Sequence, residues 1–295
     1  AYMTTMENAR LQEISMQPDA PFLGAGMNSG SIGVIPTLEA TTFVAMTQDG
    51  KLTQGFEALY TEMEKVRRHG FTQGEFERAQ NDLMRRAERS YTNRNDRRNA
   101  EFVQTYLDNF QQNRPMPDAK TEWQLDSMLI KALNVEAVNA FAQQAIYPNN
   151  QVIVITAPEK EGVENPTTEE ILAIRDKVAA AEIEAYEDNT VKEPLIPEGT
   201  TLEVKKTAQN AEYGTTEWTL ANGVKVIVKP TAYKADEVRM SALAKGGLSI
   251  LSDEEFYMGE MMPAFNSMSG VGKFSATDLK KQLSGKSASV QPSVE

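Results

Sequence analysis

Between residues 53 and 83 the chain changes direction in a way that constrains its fold more than any other feature. Phe56, Leu59, Tyr60, Met63 and Val66 fall at i, i+3, i+4, i+7 and i+10, one stripe of an amphipathic helix. Gly70 ends that stripe. Thr72-Gln73-Gly74-Glu75 then forms a capping box, in which hydroxyl and carboxylate satisfy orphan amides reciprocally. A second helix runs on from it through Phe76, Ala79 and Leu83.

Around this corner the period of the sequence alternates. The opening Met6-Glu7-Asn8-Ala9-Arg10-Leu11 is helix-like, residues 22–35 are laced with Gly and Ser, residues 40–47 read as a strand, and Gln48-Asp49-Gly50 reads as a turn. Helical patterns return at residues 99–111 (Phe102, Val103, Tyr106, Leu107, Phe110), 123–133 and 135–145, with Pro115 and Pro117 breaking the first two apart. Val152-Ile153-Val154-Ile155-Thr156 is an unbroken β-branched run of the kind a strand buried on both faces shows. Helices that lead back to a strand predict an α+β fold, a sheet with helices packed on one face.

An acidic stretch at residues 159–197, with one helical pattern (Ile171, Ile174, Val178) and the prolines 194 and 197, reads as a partly helical linker. The expected organisation is a first domain at 1–158, a linker at 159–200 and the beginning of a second α+β unit at 201–295. In that second unit Thr216–Leu220, Ala221-Asn222-Gly223 and Val224–Lys229 make a hairpin with an Asn-Gly turn. Residues 238–244 are a further strand candidate, and Ser275-Ala276-Thr277-Asp278 opens a last helix.

Composition excludes whole classes of chemistry. The 295 residues are 40% hydrophobic and 24% charged, enough for a buried core. With 42 acids against 30 bases the net charge is −12, which opposes a polyanionic partner, so no nucleic acid is expected. Zero cysteines remove thiolate ligands and disulfides, and one histidine, His69, rules out a two-histidine metal site within the chain. No apolar run approaches the ~18 residues of a membrane span. The start at Ala1 has no basic region before an apolar stretch, and the chain reads as a piece of something longer.

Gly70-Phe71-Thr72-Gln73-Gly74-Glu75-Phe76-Glu77-Arg78-Ala79-Gln80-Asn81 resembles the G-(L/F)-T-x-x-E-(L/F)-x-x-A-(K/Q)-N segment of the pitrilysin/insulinase-type zinc metallopeptidases. Trp218–Lys229 is similar to the L-x-N-G-(L/V)-x-V hairpin that opens each catalytic-type domain of that family. The resemblance implies a two-half shell around a peptide chamber, in which one half binds zinc through an inverted H-x-x-E-H helix and a downstream glutamate. Where that helix would lie, this chain reads Asp253-Glu254-Glu255-Phe256-Tyr257-Met258-Gly259-Glu260-Met261-Met262, with no histidine. The implied assignment is the non-catalytic second domain of the first half, the linker, and the start of an inactive second half. No catalytic, cofactor or metal residue is assigned in this chain, and the zinc of the parent is expected upstream of Ala1. The implied partners are peptide substrates and the catalytic half of the parent. By analogy a bacterial periplasm or envelope is the expected compartment, and the isolated chain is expected to be inert.

Other features carry plainer readings. His69, after Arg67 and Arg68, reads as a helix-end residue favoured by the helix dipole. The arginines from Arg85 to Arg98 (Arg85, Arg86, Arg89, Arg94, Arg97, Arg98) read as a solvated face paired with acids such as Glu88 and Asp96. The alternative for that stretch is an anionic-ligand or nucleic-acid module; a further alternative for the chain is a non-catalytic scaffold or processing-complex subunit of the same fold. Gly270-Val271-Gly272-Lys273 fails the phosphate-loop pattern, since Ser267 stands at the first glycine position and Phe274 follows the lysine. Glu169-Glu170 and Glu254-Glu255 read as surface pairs, and the methionines as core filling.

Overall fold

The amphipathic stripes find their partners in the first of two compact units, residues 1–190 with 283–288, the second being residues 191–282 with 289–295. The computed structural model describes residues 1–32, 35–196, 201–234 and 237–294. In the first unit α1 (Tyr2–Ser15) precedes an antiparallel pair, β1 (Gly24–Ile32) and β2 (Ile35–Met46), in register from Gly24↔Met46 to Ser31↔Glu39. There follow α2 (Leu52–His69), α3 (Gln73–Thr92), α4 (Asn99–Gln112), α5 (Ala119–Ala132), α6 (Val135–Ala145) and α7 (Thr168–Ala180). The α+β expectation is met, with α1 lying on the two-stranded sheet and tied to it where the Asn8 side chain bonds both N and O of Met27, at 2.6 and 3.0 Å.

The core gathers where α1, α2, α3 and α6 converge. Met3, Met6 and Leu11 of α1 meet Val66 of α2, Phe76 and Ala79 of α3, and Val135, Val138 and Ala142 of α6. Tyr2 stacks on Phe76 with ring centroids 4.8 Å apart, and its hydroxyl donates to the Ile130 carbonyl at 2.8 Å, so the aromatic body is buried and its polar tip satisfied. The capping box forms as expected. Thr72 Oγ1 accepts from the Glu75 amide and Glu75 Oε2 accepts from the Thr72 amide at 2.8 Å. At the corner itself Gly70 has φ +68°, and the Asn139 side chain brackets Phe71 by accepting from its N–H at 2.8 Å and donating to its carbonyl at 3.0 Å.

Helix α2 is covered on two sides, by the core and by α7, whose Ile171 and Val178 are buried. Residues 159–190, read from composition as linker, are therefore folded onto the first unit as far as Thr190. The second unit begins at Val191; Pro197 and the expected boundary at 200 lie outside the described residues.

In the second unit β3 (Val204–Asn210), β4 (Thr215–Leu220) and β5 (Lys225–Val228) form an antiparallel sheet in the order β3-β4-β5. The Asn-Gly turn closes the β4–β5 hairpin with Gly223 at φ +87° and a Leu220 N–H to Val224 O bond of 2.8 Å. Helices α8 (Phe256–Met268) and α9 (Ala276–Gln282) follow, the latter opened by Ser275, whose hydroxyl accepts from the Asp278 amide at 3.1 Å.

Two strand expectations fail. Residues 152–156 run without a ladder partner among the described residues, and Val152 and Val154 are 87% and 81% exposed rather than buried on both faces. Residues 238–244 form no strand either, and Val238 is 95% exposed. A β-branched run specifies a chain that can pleat, but the hydrogen bonds that make a strand come from a neighbour. Replacing Gly70 by Ala puts a Cβ 2.4 Å from Asn139 Cγ at a positive φ, so Gly70→Ala is expected to cost about 2–4 kcal/mol in urea unfolding followed by helical circular dichroism.

Candidate functional site: a buried arginine among carboxylates

Charge is concentrated inside the first unit where α1, α2 and α3 meet. Arg10 of α1 is 2% exposed. Its Nε and Nη2 donate to Glu75 Oε1 and Oε2 at 2.6 and 2.8 Å, a two-pronged pairing that matches planar guanidinium to planar carboxylate. Nη1 reaches Glu62 Oε1 on α2 at 3.2 Å, and Nη2 also donates to the Gly70 carbonyl at 2.9 Å. The cation is sandwiched between the rings of Phe71 and Tyr186, 4.8 and 4.3 Å from their centroids. One side chain thus holds the corner, both helices that flank it and the chain beyond α7.

Glu7, one turn before Arg10, is fully buried, and among the described residues neither carboxylate oxygen has a hydrogen-bond partner. Burial first, then the negative charges of Glu62 and Glu75, push its pKa well above the ordinary carboxylate value, while Arg10 and Lys65 pull the other way. Glu64, also buried, behaves oppositely. Burial pushes its pKa up, but hydrogen bonds from Arg67 (2.9 and 2.7 Å) and Arg68 (2.8 Å) outweigh that and hold it low.

Each residue marked in the sequence can be placed. His69 closes α2, and its Nε2 meets the Ile183 carbonyl at 2.7 Å, which makes that nitrogen the donor. Arg68 beside it donates to the carbonyls of Ala181 (2.7 Å), Ala179 (2.8 Å) and Val178 (3.3 Å), satisfying the end of α7. Among the arginines of residues 85–98, Arg85 pairs with Glu88 at 3.0 Å, Arg97 with Glu101 at 3.7 Å, and Arg94 lies over the Tyr91 ring at 4.5 Å. These are contacts with neighbouring turns of the same chain, the solvated-face arrangement. Val271 and Phe274 bond each other across Gly272, so the backbone of that glycine pair closes a tight turn instead of a phosphate cradle. Glu170 completes a capping box with Thr167, and Glu255 accepts from the Ser252 amide and hydroxyl. Glu260 is exposed on α8.

A pitrilysin-type zinc site needs two histidines, and the one imidazole present is engaged with a backbone carbonyl. Among the described residues no three His, Cys, Asp or Glu side chains are grouped to hold a metal ion. The Arg10 cluster escaped sequence reasoning because its partners are 52 and 65 residues away. The available signal was two glutamates, Glu62 and Glu64, placed beside the apolar stripe of α2.

Removing one member of a buried ion pair leaves the other charge uncompensated. Glu75→Ala, which also deletes the α3 cap, is expected to lose about 3–5 kcal/mol in chemical denaturation. For Glu7 the sign runs the other way from a paired acid. Its folded pKa is raised, so its contribution is complete below the ordinary carboxylate range and is lost as pH rises through the raised value. Urea midpoints measured from pH 4 to 9 should fall across that window in the parent chain, and Glu7→Gln should flatten the fall.

No family model matches the chain. It is similar to a zinc protease PQQL-like protein of Arabidopsis thaliana, 24% identical over 197 residues that make up 65% of this chain and 20% of that protein. The crystal structure of the periplasmic protease PqqL from Escherichia coli matches with a TM-score of 0.51 and 18% identity, over 94% of this chain and 31% of PqqL. The first half of PqqL alone matches with a TM-score of 0.51 and 17% identity, over 63% of this chain and 40% of that half. The chain thus spans about a fifth of the curated relative and under a third of the solved protease. Adding the rest of PqqL to its first half raises the share covered from 63% to 94%, so the likeness runs across the end of that half. The chain therefore has the fold of a middle segment of a pitrilysin-type metallopeptidase, the family that its Gly-Phe-Thr corner and Asn-Gly hairpin resemble.

Proposed function

We propose that this chain is a section of a zinc-dependent endopeptidase that degrades peptides, and that it supplies substrate-chamber wall and the hinge between two halves without supplying the metal site. The observation that carries this reading is a fold likeness running across the end of the first half of a periplasmic protease, in a chain with one histidine. In this reading the first unit is the non-catalytic domain of the first half. The β3–β5 sheet with its Asn-Gly turn opens an inactive second half. Zinc belongs to residues upstream of Ala1, and the partners of this segment are that catalytic half and the peptides enclosed with it. The relative is called a zinc protease and the solved neighbour a periplasmic one, which supports a metal in the parent and a periplasmic location. No helix among the described residues is long and apolar enough to cross a membrane, which is compatible with that location.

Metal analysis and a peptide-cleavage assay on the purified chain test the proposal together. After dialysis the chain should hold far less than one zinc per molecule and leave an unstructured peptide intact, with or without added zinc. Stoichiometric zinc together with chelator-sensitive hydrolysis would overturn the assignment of the metal site to another part of the parent.

A further inference from the structure

Beyond α7 the chain forms neither helix nor strand from Glu182 to Thr190, and Ile183, Tyr186, Asp188 and Thr190 are partly covered while the residues between them are exposed. Every second or third residue is fastened to the first unit. The Ile183 carbonyl accepts from His69 at 2.7 Å. The Tyr186 ring covers Arg10 at 4.3 Å, and its hydroxyl donates to Glu13 Oε2 at 2.8 Å. Arg78 of α3 donates to Asp188 Oδ1 at 2.9 Å and to Thr190 Oγ1 at 3.2 Å. The anchors come from α1, α2 and α3, and Tyr186 is stacked on the guanidinium that those helices share. Composition gives no reason to order such a stretch, since Glu182, Glu184, Glu187 and Asp188 are acidic and the segment has no apolar run. The ordering comes from the specific contacts, each of which opposes the entropy of an extended chain.

We propose that residues 181–190 act as a strap that fixes the point from which the connection between the two halves can bend. With the strap seated, bending starts at Val191. With it released, the bend moves back to the end of α7, and about ten more residues join the connection. This deepens the hinge role in the proposed function and rests on it. The strap itself, however, is tested by mobility alone, whereas the peptidase reading stands or falls on metal analysis, so the two failures are distinguishable.

The chain has no cysteine, so a single nitroxide label can be placed at will. The full chain is labelled at Glu187→Cys, an exposed strap position, or at Ile196→Cys, which is 71% exposed beyond the strap. Continuous-wave spin-resonance spectra should show motion at least roughly threefold slower at position 187 than at 196. Adding Tyr186→Ala or Arg78→Ala should bring position 187 to the mobility of position 196, while Tyr186→Phe, which keeps the ring on Arg10, should release it only in part. Should Tyr186→Ala unfold the first unit, seen by circular dichroism, Arg78→Ala and Asp188→Asn at the partly exposed ion pair carry the same test. Equal mobility at the two positions in the otherwise unaltered chain, or no change at position 187 in well-folded variants, would overturn the strap.

Discussion

The guanidinium of Arg10 is the constraint on which the first unit depends. A charge that deep is tolerated only when it is paired, and here four hydrogen bonds carry it to Glu75, Glu62 and the Gly70 carbonyl while two aromatic rings lie against it. Glu75 is shared between this pairing and the cap of α3, so the start of that helix and the seat of α1 are decided by one carboxylate. The raised pKa of Glu7 follows from its burial and from the same crowding, since Glu62 and Glu75 already press negative charge on it.

How much of this was legible in the sequence follows the range of the interactions. The α2 stripe, the Gly70 corner, the Thr72 cap, the bounds of α6, the Asn-Gly hairpin and the Ser275 start of α9 all depend on residues within a few positions of each other. Strands β1 and β3 were not read as strands. The first is laced with Gly and Ser, and the second, Val204-Lys205-Lys206-Thr207-Ala208-Gln209-Asn210, has no apolar alternation to betray it. Each is a strand because its partner is. The Arg10 cluster was illegible for the same reason, because nothing in a local window pairs residue 10 with residue 75.

Helix α2 shows how burial on two sides rewrites an amphipathic pattern. Its apolar stripe faces the core, yet Glu62 and Glu64 are buried beside Val66, Glu62 against Arg10 of α1 and Glu64 beneath Arg68, which is bonded to the end of α7. Those glutamates survive burial by recruiting cations: Arg10 and Lys65 for Glu62, Arg67 and Arg68 for Glu64. Arg68 then reuses its remaining donors on the last carbonyls of α7. The acidic region after residue 159, which composition marks as a connection, thereby becomes part of the first unit as far as Thr190.

The unladdered run at residues 152–156 has a practical side. Val-Ile-Val-Ile-Thr is uncharged, β-branched and free of proline, and both of its valines are exposed. A run of this kind has the composition that favours edge-to-edge pairing between chains, and a charge placed in it opposes such pairing.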